Sequence, residues 1–490
     1  SQSWRRSPSR TVGSRATSSW SPRSVTARAR TDNISKMLLM IKLSSSRRTT
    51  TESLKKGPVV PLFSFIVIAY NVSAYIETCL DSLKKQKGAE YEIIVVNDAS
   101  TDDTLDTIYR CAADDSRFHV INKKTNGGAH LARRDGVLSS SGRFIVFVDG
   151  DDELSPSFCE LMGPYVVTHQ SDITRFGRRV ISTRFENDAA AASNEAMFNV
   201  ALPCTMEDGS ILPCIFSDER VPRLTWSIID VVLQGDFARL CFQKMTSDHL
   251  GRMQDSYEMF VLCACARRFE TITDFQGLHY NFGNGCSGNT EETAQQFVAM
   301  QLSAKQLNNH IAEFADSTDS VVIKQCAQWL EEEYVRIIGN DWVIRLNAEN
   351  QQATILNVVE TWGIDTAYRI LSDTLDARAK WFVAQKQIPE QTDDFYRWLG
   401  MLTTLENEYV QSLGLAEERS RIHEYGRQFH DEKVRRELEA KLEKEREELE
   451  KESQRRFKKG TFMRKLSDAC LPENSLRRDL ANVIVAHRRK

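Results

Sequence analysis

The sequence predicts an α/β domain built on a mixed, mainly parallel sheet and followed by an all-helical C-terminal region. Between residues 58 and 290, short β-branched apolar runs alternate with segments of helical periodicity, as in parallel strands joined by crossover helices. Beyond residue 290 the apolar residues recur at helical spacing, with tryptophans among them. Near the C-terminus a dense mixture of both charge signs indicates a solvated helix.

The predicted elements follow from the chain in order. The run 64–70 (SFIVIAY) is almost continuously apolar, as expected of a strand buried on both faces. Residues 73–86 then carry isoleucine and leucine three and four positions apart, which indicates an amphipathic helix. The same two patterns continue to alternate along the chain, at 92–97, 101–113, 118–122, 128–140 and 143–148. Such alternation predicts parallel β–α–β units with right-handed crossovers.

Composition divides the chain into five predicted segments. They are a basic disordered leader at 1–57, the α/β domain at 58–290, a helical module at 291–415, a charged helix or coiled coil at 416–460, and a basic amphipathic tail at 461–490. The leader contains thirteen Lys and Arg residues but two acidic ones. It would also suit a transit peptide, a nucleic-acid-binding arm, or sequence upstream of a true start at Met37 or Met40. In the charged helix, charged residues interrupt leucines at heptad spacing, so a solvated single helix and a dimer are alternatives.

Composition also limits the class of protein. No apolar run reaches the roughly 18 to 20 residues of a membrane span, so we expect no integral membrane protein. The eleven cysteines are scattered without a C-x-x-C pair, which favours reduced thiols and a cytoplasmic location. The net charge of −4 gives no reason to expect specific binding of nucleic acid. The basic tail could make a peripheral contact with the inner face of the cell membrane or serve as a docking helix, and the oligomeric state stays open.

Three of the predicted strands end in residues that could carry chemistry. These are Tyr70-Asn71, Asn97-Asp98 and the acidic run 149–152 (DGDD). Ligands of open α/β sheets bind at the carboxyl ends of the strands, so the three ends should meet in one crevice. Three carboxylates within four residues repel one another unless they share a cation, and hard oxygen ligands suit Mg²⁺ or Mn²⁺. An acidic surface turn is the alternative, and the sequence has neither a P-loop nor a G-x-G-x-x-G motif.

Five segments resemble, in order and spacing, the motifs of family 2 glycosyltransferases. They are 66–71 (IVIAYN), 75–83 (YIETCLDSL), 92–102 (EIIVVNDASTD), 126–136 (NGGAHLARRDG) and 147–152 (FVDGDD). The resemblance covers about residues 62–290 and implies the GT-A fold, a Rossmann-like domain that binds nucleotide sugars. It departs from the family pattern at Ala99, where glycine is usual, and at Arg134, where asparagine is usual.

The resemblance implies roles for five residues on the donor side. Tyr70 would lie beside the base, Asp98 would accept a hydrogen bond from the imide N–H of uracil, and Arg133 would line the nucleotide pocket. Asp149 would meet the ribose or the metal, and Asp151 would coordinate the Mn²⁺ or Mg²⁺ that bridges the donor's diphosphate. An unpaired polar group at such a site costs about 1–3 kcal/mol, so Asp98 favours UDP as the donor nucleotide.

The resemblance also implies a catalytic base. The segment 252–260 (RMQDSYEMF) occupies the place of the family's G-E-D-x-x-F block, with Gln254 in place of the common glutamate. In that arrangement Asp255 would remove the proton from the acceptor hydroxyl. The alternative is that Asp255 only caps a helix over 256–266.

These features together predict a metal-dependent glycosyltransferase of the inverting type. It would move a sugar from a nucleotide-sugar donor, with UDP favoured, to a hydroxyl of a saccharide or lipid-linked acceptor. Such a reaction belongs to surface polysaccharide or glycolipid assembly. The alternative is a catalytically inactive nucleotide-sugar-binding or scaffold protein that uses its helical tail to dock on a partner or a membrane.

Overall fold

A computed structural model describes residues 60–181, 188–200, 205–218, 223–282, 291–408 and 416–470. The predicted leader and residues 471–490 of the predicted tail lie outside these ranges. None of the described helices is both long and apolar enough to cross a membrane.

The first half of the α/β domain has the elements that the sequence predicts. Four strands alternate with three helices, in the order β1 (Phe63–Ala69), α1 (Ile76–Lys84), β2 (Tyr91–Asn97), α2 (Thr104–Ala112), β3 (Phe118–Asn122), α3 (Gly128–Ser139) and β4 (Phe144–Asp149). All seven residues of β2 are buried, and six of the seven in β1 are buried. This burial explains why both strands are almost continuous apolar runs.

The strand order reverses at β1, and this places the crevice. Strands β3, β2, β1 and β4 are neighbours in that order, and all three pairings between them are parallel. The chain therefore moves outward from β1 to β3 and then returns to the other side of β1 as β4. In open parallel sheets such a reversal leaves a gap between crossover helices at the carboxyl ends of the strands, where ligands bind.

The second half of the domain extends the same sheet with a mixture of directions. Its elements are β5 (Glu153–Leu154), α4 (Phe158–His169), β6 (Ile173–Ile181), α5 (Asp188–Phe198), β7 (Thr205–Glu207), β8 (Val231–Gln234), α6 (Gly235–Lys244), α7 (Gln254–Cys265) and β9 (Arg268–Asn281). The sheet continues from β4 through β8, β6 and β9 to β5, and β7 also pairs with β9. Parallel pairings extend over five to nine residues each and antiparallel pairings over two or three. The predicted mixed, mainly parallel sheet is confirmed.

Helix α3 lies unusually close to the sheet because of one glycine. A Cβ atom at Gly136 would lie 2.4 Å from Cγ2 of Ile66 in β1, which is closer than carbon atoms can approach. The residues of α3 that face the sheet, among them Ala132, are fully buried. This close approach holds the C-terminal half of α3 against β1.

The C-terminal region is helical, as predicted. Its helices are α8 (Ala294–Asp316), α9 (Val321–Ile344), α10 (Ala348–Trp362), α11 (Ile364–Ala384), α12 (Asp394–Glu408) and α13 (Ala416–Cys470). The chain separates into two compact units, Ser1–Ile338 and Gly339–Lys490, and the boundary falls within α9. Helix α13 continues through Gly460 without a break. The predicted segment boundaries at 290, 415 and 460 stay predictions.

Candidate active site

The loops after β1 and β2 are tied together at the crevice. Tyr70, the first residue after β1, is about half exposed at the rim. The side-chain oxygen of Asn71 accepts a hydrogen bond from the backbone N–H of Thr101 (2.8 Å), which follows β2. The backbone N–H of Asp98 donates to the carbonyl of Ala69 (2.8 Å). Tyr70 and Asp98 are thus held on adjacent loops at the same edge of the sheet.

Asp98 is buried and stabilises the start of α3. Its two carboxylate oxygens accept hydrogen bonds from the backbone N–H groups of Gly127 (2.9 Å) and Gly128 (2.8 Å), and Nζ of Lys123 lies 2.8 Å from Oδ1. A carboxylate at a helix N-terminus satisfies donors that have no partner within the helix. A carboxylate has about four acceptor positions and these contacts use three, so Asp98 can still accept one further donor.

Arg133 links the donor side of the crevice to α7. Its Nη2 donates to Oδ1 of Asp149 (3.2 Å), at the end of β4, and its Nη1 donates to Oε2 of Glu258 (3.1 Å), in α7. Arg133 and Glu258 are buried, whereas Asp149 is partly exposed. Burial alone would lower the pKa of Arg133, but the carboxylates of Glu258 and Asp149 outweigh burial and raise this pKa. The guanidinium is therefore a fixed positive charge between two carboxylates.

A buried histidine completes this network. Nε2 of His130 donates to the carbonyl of Thr246 (3.0 Å), and Nδ1 lies 2.9 Å from Oε1 of Glu258. Because a carbonyl can only accept, the Nε2 contact takes one ring proton, and the contact between Nδ1 and Oε1 must hold a second proton. We refer to His130, Glu258, Arg133 and Asp149 as the buried charge network. It connects α3, β4 and α7 through groups far apart in sequence.

Asp255 lies in the first turn of α7, within electrostatic range of this network. It is half-buried, and its Oδ1 accepts from the backbone N–H of Ser256 (3.1 Å). Burial raises the pKa of Asp255 to about 6; Arg133 opposes the rise, and Glu258 and Asp149 add to it. The helix begins at Gln254 with Met253 at the capping position, so the alternative that Asp255 caps this helix is wrong. Asp255 and Asp149 are brought together from positions 106 residues apart.

Two carboxyl groups in the acidic run 149–152, at the end of β4, have raised pKa values. Burial and the charge of Asp149 raise the pKa of Asp151 to about 6. Asp152 is buried, one of its oxygens accepts from the backbone N–H of Asn281 (2.8 Å), and burial and its acidic neighbours raise its pKa well above the usual range. Asn281 also donates from Nδ2 to the carbonyl of Asp151 (2.6 Å). Strand β9 therefore fixes the backbone of the acidic run, and the carboxyl groups of the run repel one another.

The donor set can be tested against a divalent ion. No three His, Cys, Asp or Glu side chains in the described part of the chain are grouped so as to enclose a metal. Asp149 and Asp151 could supply two carboxylates, and one oxygen of Asp149 is shared with Arg133. Mg²⁺ and similar ions are commonly bound through one or two carboxylates, with substrate phosphates as further ligands. The residues fit an ion that a diphosphate helps to hold, and they do not fit a metal site made by the protein alone.

Backbone strain is concentrated around the crevice. Of the six described non-glycine residues with positive φ, three lie within two residues of a site residue: Asn71 (53°), Ala99 (62°) and Met253 (70°). A residue with a Cβ pays about 1–2 kcal/mol for the left-handed conformation. Ala99 thus keeps the backbone shape for which glycine is the usual residue. Strain of this kind is common where a structure holds functional groups in fixed positions.

Sequence reasoning found the carboxylates but missed two members of the buried charge network. The sequence motifs assign no role to His130 or to Glu258. No local signal distinguishes them from a histidine and a glutamate on helix surfaces, because the contact that joins them spans 128 residues of sequence. Arg134, which departs from the family pattern, donates from Nε to the carbonyl of Phe242 (3.2 Å), so its side chain is directed at α6.

Comparisons with known proteins support the resemblance. Residues 64–205 match the model of glycosyl transferase family 2, so the predicted resemblance is confirmed for that stretch, which ends before Asp255. The uncharacterized glycosyltransferase EpsJ of Bacillus subtilis is 39% identical over 119 residues, which are 24% of this chain and 34% of EpsJ. Hyaluronan synthase of Pasteurella multocida is 37% identical over 102 residues, which are 21% of this chain and 10% of that protein.

These similarities are partial in length. The chain spans about a third of the length of the first curated relatives it matches. Among solved structures, residues 1–349 of S. aureus TarS are similar, with a TM-score of 0.46 and 17% sequence identity, over 72% of this chain and 92% of the TarS chain.

Proposed function

We propose that the α/β domain, which carries the family 2 match at residues 64–205, transfers a sugar from a nucleoside-diphosphate donor to a hydroxyl acceptor. UDP is the proposed nucleotide, and the transfer inverts the anomeric configuration. The observation that carries this proposal is the bridge made by Arg133, which holds Asp149 from β4 and Glu258 from α7. The bridge ties the donor side to α7, whose first turn contains Asp255, and this supports one crevice for the donor and the base.

In this proposal each site residue has one task. Asp98 accepts from the uracil imide N–H with its remaining acceptor position, and Tyr70 lies beside the base. Asp149 and Asp151 would hold Mn²⁺ or Mg²⁺, and the bound ion would supply positive charge where the leaving diphosphate becomes more negative. Asp255 accepts the proton of the acceptor hydroxyl as the oxygen attacks the anomeric carbon. A single displacement needs this carboxylate on the face opposite the leaving group and needs no covalent sugar–enzyme intermediate.

The acceptor is proposed to be a saccharide or a lipid-linked saccharide of surface polysaccharide or glycolipid assembly. Hyaluronan synthase is named for the synthesis of a polysaccharide, which supports a saccharide acceptor for this chain as well.

Turnover of the donor tests the proposal without knowledge of the acceptor. The chain is incubated with single UDP-sugars and Mn²⁺, and released UDP is measured, since water can replace the acceptor. Release from at least one UDP-sugar is expected, and Asp255→Asn should lower the rate of release by about a hundredfold or more. UDP binding without release from any donor, with or without added saccharides, would instead favour the inactive nucleotide-sugar-binding protein.

The pH dependence of transfer should report Asp255. A carboxyl group with a pKa of about 6 is protonated below that pH and cannot act as a base. Transfer should therefore fall about tenfold per pH unit below pH 6 and level off above pH 7. The measurement is kcat/KM from pH 5 to 8 at saturating metal. A rate that is constant down to pH 5 would exclude Asp255 as the base.

A further inference from the structure

The last part of α13 extends away from the helices that anchor its start. Ile422 and Phe429 are buried, and the ring of Phe429 packs on Phe382 of α11 and Phe395 of α12. From Val434 to Arg455 every side chain that the structure describes is exposed. The leucine side chains in this part of the helix are therefore not covered by the described residues of its own unit.

Three leucines form an apolar stripe on this exposed part. Leu438, Leu442 and Leu449 are 56%, 56% and 67% exposed and fall on one side of the helix at four- and seven-residue spacing. We call them the leucine stripe. In heptad notation Leu438 is at d and Leu442 and Leu449 are at a, which is the spacing of a coiled-coil seam. Neighbouring seam positions are charged: Arg435 at a, and Glu445 and Glu452 at d.

The charges of these helices oppose a parallel pair. In a parallel dimer each seam residue faces its own copy, so Arg435, Glu445 and Glu452 would each meet a like charge. The flanking g and e positions would also place Lys441 opposite Arg446 of the second copy. Like charges at such positions destabilise the pair.

An antiparallel pair in one register makes the same charges complementary. When Leu438 faces Leu449 of the second copy, Arg435 faces Glu452 and Leu442 faces the methylene groups of Glu445. In an antiparallel pair the flanking g position of one helix faces a g position of the other, and an e position faces an e position. This places Lys441 opposite Glu448, and Glu439 opposite Arg446. Because the pair is two-fold symmetric, each of these contacts occurs twice.

We propose that α13 binds a second copy of this chain, antiparallel, through the leucine stripe in this register. Glu445 is the polar member of the seam, which fixes the register at a cost in stability, as polar seam residues do in coiled coils. The proposal does not depend on the function proposed for the α/β domain.

A charge exchange on the full-length chain tests the arrangement. Lys441 and Glu448 lie seven residues apart, too far to pair within one helix, so any mutual rescue must come from the second copy. Sedimentation equilibrium over a range of concentrations gives the dimer dissociation constant. Lys441→Glu and Glu448→Lys should each raise that constant about tenfold, because two attractive exposed pairs become two repulsive ones. The double variant should restore it.

Matched controls separate pairing from helix stability. Lys444→Glu makes the same change of charge on the side of the helix opposite the seam and should leave the dissociation constant unchanged. Far-UV circular dichroism should show equal helix content in all four variants. A monomer at every concentration would overturn the proposal. A dimer that Lys441→Glu strengthens would also overturn it, because that result is expected of a parallel pair. A dimer whose dissociation constant changes in none of these variants would overturn it as well.

Discussion

Asp255→Asn should lower glycosyl transfer by about 10²- to 10⁴-fold, the usual contribution of a general base. Asparagine has the same size and can still accept the hydrogen bond from the backbone N–H of Ser256, but it cannot take a proton from the acceptor. Affinity for UDP and metal should stay unchanged, because none of the donor contacts proposed here uses Asp255. The measurement is kcat with saturating donor and acceptor, together with calorimetric titration of UDP.

The same substitution should not destabilise the fold. The folded-state pKa of Asp255 is raised to about 6, so its titration stabilises the fold at low pH, and this contribution is lost as the pH rises through 6. At pH 7.5 the ionised, half-buried carboxylate therefore lowers the free energy of unfolding, and asparagine removes this effect. The melting temperature of the variant should stay equal or rise. If the variant folds, binds UDP and transfers at the wild-type rate, Asp255 is not the base. Asp248, which lies 3.2 Å from His310, is the next carboxylate to test.

Glu258→Ala should lower the free energy of unfolding by about 3–5 kcal/mol, the range for removing one partner of a buried ion pair. Glu258 contacts both Arg133 and His130 and is fully buried. Alanine would leave the guanidinium with Asp149 as its remaining partner in the buried charge network and would leave a buried ring nitrogen without an acceptor. Urea denaturation followed by circular dichroism measures the loss.

An exposed ion pair provides the matched control. Glu77 in α1 lies 3.3 Å from Arg110 in α2, and both side chains are more than half exposed. Glu77→Ala makes the same truncation in a helix and should cost about 0–1 kcal/mol, as exposed pairs do. Equal losses for the two variants would mean that Arg133 and His130 find water or new partners when Glu258 is removed, and that the network contributes little to stability.

The parallel half of the fold was predictable because its signals are local. Strand β2 is buried along its whole length, so its sequence had to be apolar throughout, and helix α3 had to carry a glycine where it touches β1. The predicted strands and helices up to Asp149 agree with the observed ones within three residues at every end. Asp98 and Asp149 were also predictable, because strand ends in a parallel sheet meet at one edge.

The rest depended on contacts between distant parts of the chain. Glu258 pairs with His130 across 128 residues, and nothing near either residue in sequence distinguishes this pair from a glutamate and a histidine on helix surfaces. The sequence assigned Arg133 to the nucleotide pocket by resemblance but could not give its bonds to Asp149 and Glu258. The start of α7 was misplaced because Met253, in a left-handed conformation, does not carry the side chain of a usual helix cap.

The affinity of UDP with and without a divalent ion tests the proposed donor site most directly. Calorimetric titration of UDP into the full-length chain should show binding about tenfold or more tighter with Mn²⁺ than with chelator, because in the proposed site Asp149 and Asp151 would hold the ion together with the diphosphate. Asp151→Ala should remove this difference, whereas Asp114→Ala, an exposed acid after α2, should not change it. Equal UDP affinity with Mn²⁺ and with chelator would contradict the metal-bridged donor site, and tighter binding of GDP or CDP than of UDP would contradict Asp98 as the reader of uracil.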